Sequence, residues 1–255
     1  MLLAIDIGNS NITIGCIDDG SIIFEERLGT DLNKTELEYA MGIKMIFDLY
    51  DVNQKAVSGV ILSSVVPPLT NVIKSAVRKI IDRNIMVVGP GIKSGLNLHM
   101  DDPRSVGADL VVEAVAAINK YGAPLIIVDM GTATSICVVD KDCNYIGGMI
   151  IPGVEISLEA LSEKASQLPK ISIEPSRKVI GRNTEDGMKS GIICGTAAMI
   201  DGLIDRVEEE IGCKTTVVAA SNRISRIIVP VCKKEIILDN ELILRGLDII
   251  YHKNS

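Results

Sequence analysis

Residues 2–18 read LLAIDIGNSNITIGCID, and residues 125–140 read LIIVDMGTATSICVVD. Each stretch opens with a continuous apolar run, the pattern of a central buried strand. Each run ends in Asp-x-Gly, followed by a short turn of small polar residues and a second strand. Asp6-Ile7-Gly8-Asn9-Ser10 and Asp129-Met130-Gly131-Thr132-Ala133 hold the same place in the two units, 123 residues apart in a chain of 255. A third strand follows in each case. SIIFEERL (21–28) comes after the hairpin signal DDG, and NYIGGMIIPG (144–153) after a turn containing Asp140 and Asp142. Context repeats as well as letters, so the pattern predicts a duplicated α/β domain rather than one irregular domain. The boundary falls near NKYGAP, giving an N-terminal half of 1–120 and a C-terminal half of 121–255. A cleft between the halves is the expected ligand site.

Working outward, residues 34–50 show helical spacing, with Leu37, Ala40, Met41, Lys44 and Met45 crowding one side. VSGVILSSVV (57–66) reads as a strand. PPLTNVIKSAVRKIID (67–82) reads as a helix that begins just after its prolines, and NIMVVG (84–89) as a short strand. Residues 89–104, rich in Gly and Pro, read as an irregular loop before a helix that begins at SVGADLVVEAVAAI (105–118). The second half predicts helices at roughly 153–163 and 184–211, a strand at TTVVAA (215–220), a short strand at RIIVP (226–230), and a final helix at NELILRGLDIIYH (240–252).

Composition narrows the function. Apolar residues make up 47% and charged residues 23%, with a net charge of −7. That is a globular composition with no basic patch for nucleic acid. No apolar run reaches the roughly 18 residues needed to span a bilayer, and MLLAIDIGNS lacks the basic start of a signal peptide. The six cysteines include no C-x-x-C pair and only two histidines accompany them, so reduced thiols in a cytoplasmic protein are expected rather than zinc or disulfides.

Three elements carry chemistry. In Asp6-Ile7-Gly8-Asn9-Ser10-Asn11-Ile12-Thr13 a strand delivers a carboxylate to a tight turn. Backbone N–H groups of such a turn can cradle phosphate, while the carboxylate holds Mg²⁺ and its waters; an ordinary hairpin turn reads equally well from this loop alone. The second loop, Asp129 to Thr134, would face the first across the cleft, and two such loops suit an ATP-dependent enzyme. Gly107-Ala108-Asp109 opens a helix that is otherwise nearly all apolar. Asp109 reads as a helix cap, as a general base for phosphoryl transfer, or as both; the helix dipole is expected to hold its pKa low.

With these elements the chain resembles the type III pantothenate kinases, of the superfamily that unites acetate and sugar kinases, heat-shock ATPases and actin. The shared motifs are Asp6 to Ser10 with Thr13, SSVVPPL (63–69), DDPRSVGAD (101–109), DMGTATS (129–135), GGMIIPG (147–153) with EAL (159–161), and Asn183-Thr184-Glu185. The resemblance implies duplicated ribonuclease H-like, actin-like ATPase domains. It also implies ATP-dependent phosphorylation of pantothenate to 4'-phosphopantothenate, the first step of coenzyme A synthesis. By the same resemblance, residues 6–13 and Thr132 bind ATP, Asp109 is the general base, and Asp129 coordinates a monovalent cation, potassium or ammonium. Met100, Gly107, Ala108, Asp109, Leu110 and Thr184 would contact the acceptor. Family members are typically homodimers. GIICGTAAMIDGLI (191–204), with its closely spaced small residues, suits either such a contact or a buried core helix.

The chain departs from the family in three places. Gly-Ala-Asp is followed by Leu110 where Arg is usual, removing a cation suited to the pantothenate carboxylate; one charge-assisted bond is worth roughly 1.5–3 kcal/mol. Met100 stands where an aromatic residue is common. Ala220-Ser221-Asn222 replaces a Thr-Gly-Gly turn near the nucleotide, which bears on ATP binding. The departures keep two alternatives in view: a kinase for another small alcohol, and a non-catalytic nucleotide- or metabolite-binding regulator.

Overall fold

The computed structural model describes residues 1–175 and 178–255. In chain order its elements are β1 (Leu2–Ile7), β2 (Asn11–Asp18), β3 (Ser21–Gly29), α1 (Glu36–Leu49), β4 (Gly59–Ser64), α2 (Pro67–Arg78), β5 (Ile85–Val87), β6 (Asn97–Leu98) and α3 (Ala108–Tyr121). There follow β7 (Leu125–Met130), β8 (Ala133–Val139), β9 (Asn144–Pro152), α4 (Val154–Lys164), α5 (Thr184–Ile211), β10 (Thr216–Ala220), α6 (Arg223–Ile228), β11 (Ile237–Asp239) and α7 (Leu242–Asn254).

The duplication is visible strand by strand. The first sheet has the order β3-β2-β1-β4-β5; the second has β11-β10-β7-β8-β9-β6. Read from β9, the second sheet repeats the first and adds β6 at its edge. In both, the first three strands form an antiparallel meander and the other main strands join in parallel. Even the register shift recurs, between Cys16 and Ile17 in one sheet and between Val138 and Val139 in the other. The DDG turn joins β2 to β3 with positive φ at Asp19 and Gly20, as a tight hairpin turn demands.

The chain divides into two compact units that differ from the halves drawn at residue 120. One unit holds Met1–Leu96, Asp101–Ala116 and Leu242–Ser255; the other holds Asn97–Met100 and Ala117–Glu241. The reason lies in the last helix, whose Leu244, Leu247 and Ile250 are fully buried with Leu2, Ala4 and Ile61 of the first sheet and Val112 of α3. In the first unit α1 and α2 cover the opposite sheet face through Tyr39, Ile43, Phe47, Leu69 and Ile73. In the second unit, Ile126, Val128 and Ile136 pack with Leu158 of α4 and Ile193, Ala197 and Ile200 of α5.

Three local expectations need correction. Helix α1 starts at a capping box, Thr35 with Glu38, but its buried residues are Tyr39, Ala40, Ile43, Ile46 and Phe47. Of the side read as crowded, only Ala40 is buried; Leu37, Met41 and Met45 are exposed. The aromatic rings decide the orientation, because Tyr39 and Phe47 are the largest fully buried side chains. RIIVP is no strand: residues 226–228 end α6 and Val229–Val231 form a 3-10 turn, so Pro230 sits in a helical turn rather than a sheet. Residues 89–104 are not wholly irregular, since Asn97 and Leu98 pair with Asn144 and Tyr145 on β9.

Candidate active site

The candidate residues are distributed over both units, each of which is described by itself. In the first unit, β1 carries Asp6 to its C-terminal end, opposite Thr13 on β2. The turn between them closes through the Gly8 N–H donating to Asn11 O at 3.0 Å, and the hydroxyl of Thr30 donates to Gly8 O at 2.7 Å. Asn9, Ser10 and Asn11 are exposed on the turn, whereas the side chains of Ile7 and Ile12 are fully buried, leaving only their backbone for a ligand. Asp6 is itself mostly buried and accepts 2.6 Å from the hydroxyl of Ser63 on β4. Ser63 is a functional candidate that the sequence reading did not single out, although it opens the SSVVPPL motif.

Asp109 occupies the first turn of α3 rather than a position ahead of the helix. Its Oδ1 accepts 2.8 Å from the Leu110 N–H. The expected low pKa is not what the surroundings produce. Desolvation by burial raises the carboxyl above its usual range, and the backbone N–H groups of Leu110 and Asp109 only partly offset this. Gly107 is what admits this pose, since a β-carbon there would overlap Asp109 Oδ1. With Asp109 as the base that the family resemblance implies, Gly107→Ala is expected to cut kcat at least tenfold with little change in ATP KM, in steady-state assays, because small misplacements of a reacting group are costly. Ala108 and Leu110 are partly buried beside the carboxylate. Arg104, the nearby cation in sequence, pairs with Asp102 at 3.0 Å with its side chain 82% exposed, so it is held at the surface.

In the second unit β7 ends at Asp129 and Met130, and Gly131 and Thr132 form an exposed turn into β8. Thr132 O accepts from the Gly153 N–H at 3.2 Å, which ties this turn to the start of α4. Asp129 is partly buried. Met100 packs over β9, its sulfur 3.6 Å from where a β-carbon of Gly147 would stand. Thr184 is the exposed first residue of α5, which Asn183 caps by accepting 2.8 Å from the Asp186 N–H. The altered turn after β10 is extended at Asn222 (φ −144°), so this position needs no glycine. Among the described residues no group of three or more His, Cys, Asp or Glu forms a ready-made metal cage. The donors present are hard carboxylate and hydroxyl oxygens, which suit a Mg²⁺ that keeps waters and binds through phosphates.

Two mixed sheets of the same strand order, each ending a central strand in Asp-x-Gly, define a duplicated actin-like ATPase fold. Solved structures agree. The activator of 2-hydroxyisocaproyl-CoA dehydratase from Clostridium difficile, with bound ADPNP, matches with a TM-score of 0.56 at 12% identity, over 98% of this chain and 93% of that one. Component A of (R)-2-hydroxyglutaryl-CoA dehydratase from Acidaminococcus fermentans matches with a TM-score of 0.56 at 13% identity, over 98% and 96%. The family is more specific. The model of the type III pantothenate kinase family matches residues 2–206. Type III pantothenate kinases from Brevibacillus brevis and Halalkalibacterium halodurans are 44% and 41% identical, each aligned over the whole of both chains. This chain belongs to the type III pantothenate kinase family.

Proposed function

We propose that this chain transfers the γ-phosphoryl group of ATP to the hydroxyl of pantothenate, giving 4'-phosphopantothenate, with Asp109 as general base. The observation that carries the mechanism is the placement of Asp109: desolvated, in the first turn of α3, with Gly107 leaving it room. One carboxylate oxygen is oriented by the Leu110 N–H. As the hydroxyl oxygen attacks phosphorus, its proton passes to Asp109, and the bond from the γ-phosphorus to the bridging oxygen breaks to release ADP. A desolvated carboxylate is a stronger base than an exposed one, which suits it to this transfer. Residues 6–13 and Thr132 bind ATP, and Asp129 would hold a potassium or ammonium ion. Asp6 would hold a Mg²⁺ ion, which supplies positive charge for the phosphates when bound. Thr184, Met100 and residues 107–110 contact the acceptor.

Leu110 favours a second reading of the acceptor alone. Its side chain supplies no donor, and Arg104 is engaged by Asp102, so the acceptor carboxylate lacks its usual cation in this segment. An assay of purified protein with ATP, Mg²⁺ and potassium, comparing pantothenate with pantothenyl alcohol, separates the readings. A kcat/KM for pantothenate at or above that for the alcohol supports it as acceptor; strong preference for the alcohol supports an acceptor without a carboxylate.

We extend the proposal to a cytoplasmic homodimer. Gly191, Gly195 and Ala198 are exposed along α5 while Ile193, Ala197 and Ile200 fill the core, and this exposed face of small residues supports the reading of a close helix contact between copies. Sedimentation is expected to give twice the chain mass for the wild type and a monomer for Gly195→Arg.

A further inference from the structure

We propose that Asn222 is a positioning residue for the Asp129–Thr132 turn, setting the direction of its peptide planes through a hydrogen bond to Met130 O. This inference rests on the proposed ATP contact of that turn for its effect on catalysis, but not for the geometry. The side chain does two jobs. Its Oδ1 accepts from the Ile224 and Ser225 N–H groups at 2.8 and 2.9 Å, capping α6. Its Nδ2 donates to Met130 O at 3.1 Å, across 92 residues of sequence. The cap is reciprocal, since Ser225 Oγ accepts 2.8 Å from the Asn222 N–H.

The turn that carries Asn222 is itself fixed. Ser221 N–H donates to Asp239 O at 2.8 Å, and Arg226 bridges Ser221 Oγ and Asn240 Oδ1 at 3.0 Å each. Asp239 is held in turn by Lys120 and Tyr121, at 2.7 and 2.6 Å. Asn222 therefore transmits a rigid frame to the end of β7. A trans peptide is planar, with its C=O and N–H pointing in opposite directions. Pinning Met130 C=O toward Asn222 thus aims the Gly131 N–H the opposite way, away from Asn222. A turn built without side chains after β10 has no such link. Here the Ser-Asn pair supplies rigidity through side-chain bonds instead of leaving the backbone bare.

Asn222→Asp separates the two jobs, because Asp caps a helix as well as Asn does but offers no donor to Met130 O. Asn222→Ser caps through its hydroxyl and is too short to reach β7, so it serves as a second variant should the first fold poorly. Each is expected to raise ATP KM about 3- to 10-fold, the value of one hydrogen bond, with pantothenate KM within twofold of wild type. Hydrogen–deuterium exchange without ATP is expected to speed up in the peptide spanning Gly131–Ala133 while melting temperature barely changes. Wild-type exchange in that peptide in both variants overturns the positioning role, as does equal loss of every kinetic constant in step with stability. Thr132→Ala runs alongside. If it leaves ATP KM unchanged, the ATP contact has failed, and exchange still decides the positioning role. If it raises ATP KM while the Asn222 variants leave both ATP KM and exchange at wild-type values, the positioning role alone has failed.

Discussion

Asp109→Asn is expected to lower the rate of phosphoryl transfer about 10²- to 10⁴-fold, the usual contribution of a general base, without loss of fold. The amide retains the acceptor for the Leu110 N–H and cannot take a proton. Two pH signatures follow from the raised pKa of the carboxyl, whose main cause is desolvation. Only the ionised form is a base, so wild-type activity falls as pH drops through the raised value. The acid limb of kcat/KM therefore lies above the roughly pH 4 of an exposed aspartate. Stability moves the opposite way. The folded state holds this proton more tightly than the unfolded chain, so folding weakens as pH rises from the unfolded pKa through the folded one. Above that window the desolvated charge is a standing penalty, which Asn removes. Asp109→Asn is thus expected to melt above the wild type at pH 8 and level with it at acid pH, by calorimetry. A variant that melts lower at pH 8 would show that the carboxylate is a structural cap instead.

Gly246→Ala is expected to be the most damaging single-methyl change in the first unit. Gly246 lies on α7, and a β-carbon there would overlap the carbonyl oxygen of Val112 on α3. The clash is with backbone, so no rotamer change relieves it and the helices must part. Overpacking of this kind costs about 1–3 kcal/mol, or roughly 2–12 °C of melting temperature for a protein of this size. Gly187→Ala, on the exposed start of α5 with no atom within 4 Å of the new methyl, is the contrast. It is expected to hold or raise stability. Equal melting temperatures for the two variants would contradict the close packing of α7 on α3.

These two positions also show where the sequence was readable. Strands β1, β2, β7 and β8 announce themselves because an apolar run, an Asp-x-Gly and a second run are all local signals, and their repetition carries the fold. The return of α7 to the first sheet was not legible: its apolar stripe states that it is buried, not against which sheet. Helix α1 failed for a related reason, since Leu37, Met41 and Met45 form as good a stripe as Tyr39, Ile43 and Phe47, and only the docked structure ranks them. Asp6, Asp109 and Asp129 are candidate site residues that their motifs single out. The direction of the Asp109 pKa was missed because the dipole is a local property of its helix, while desolvation comes from everything packed around it. Ser63 and the Asn222 link join residues 57 and 92 positions apart, and no short motif records such pairs.

The most direct test of the account is mass spectrometric detection of product after incubating the protein with ATP, Mg²⁺, potassium and pantothenate, beside the Asp109→Asn variant. Catalytic accumulation of 4'-phosphopantothenate by the wild type, reduced at least a hundredfold in the variant, is the expected result. No phosphopantothenate from the wild type, or equal amounts from both proteins, would contradict it.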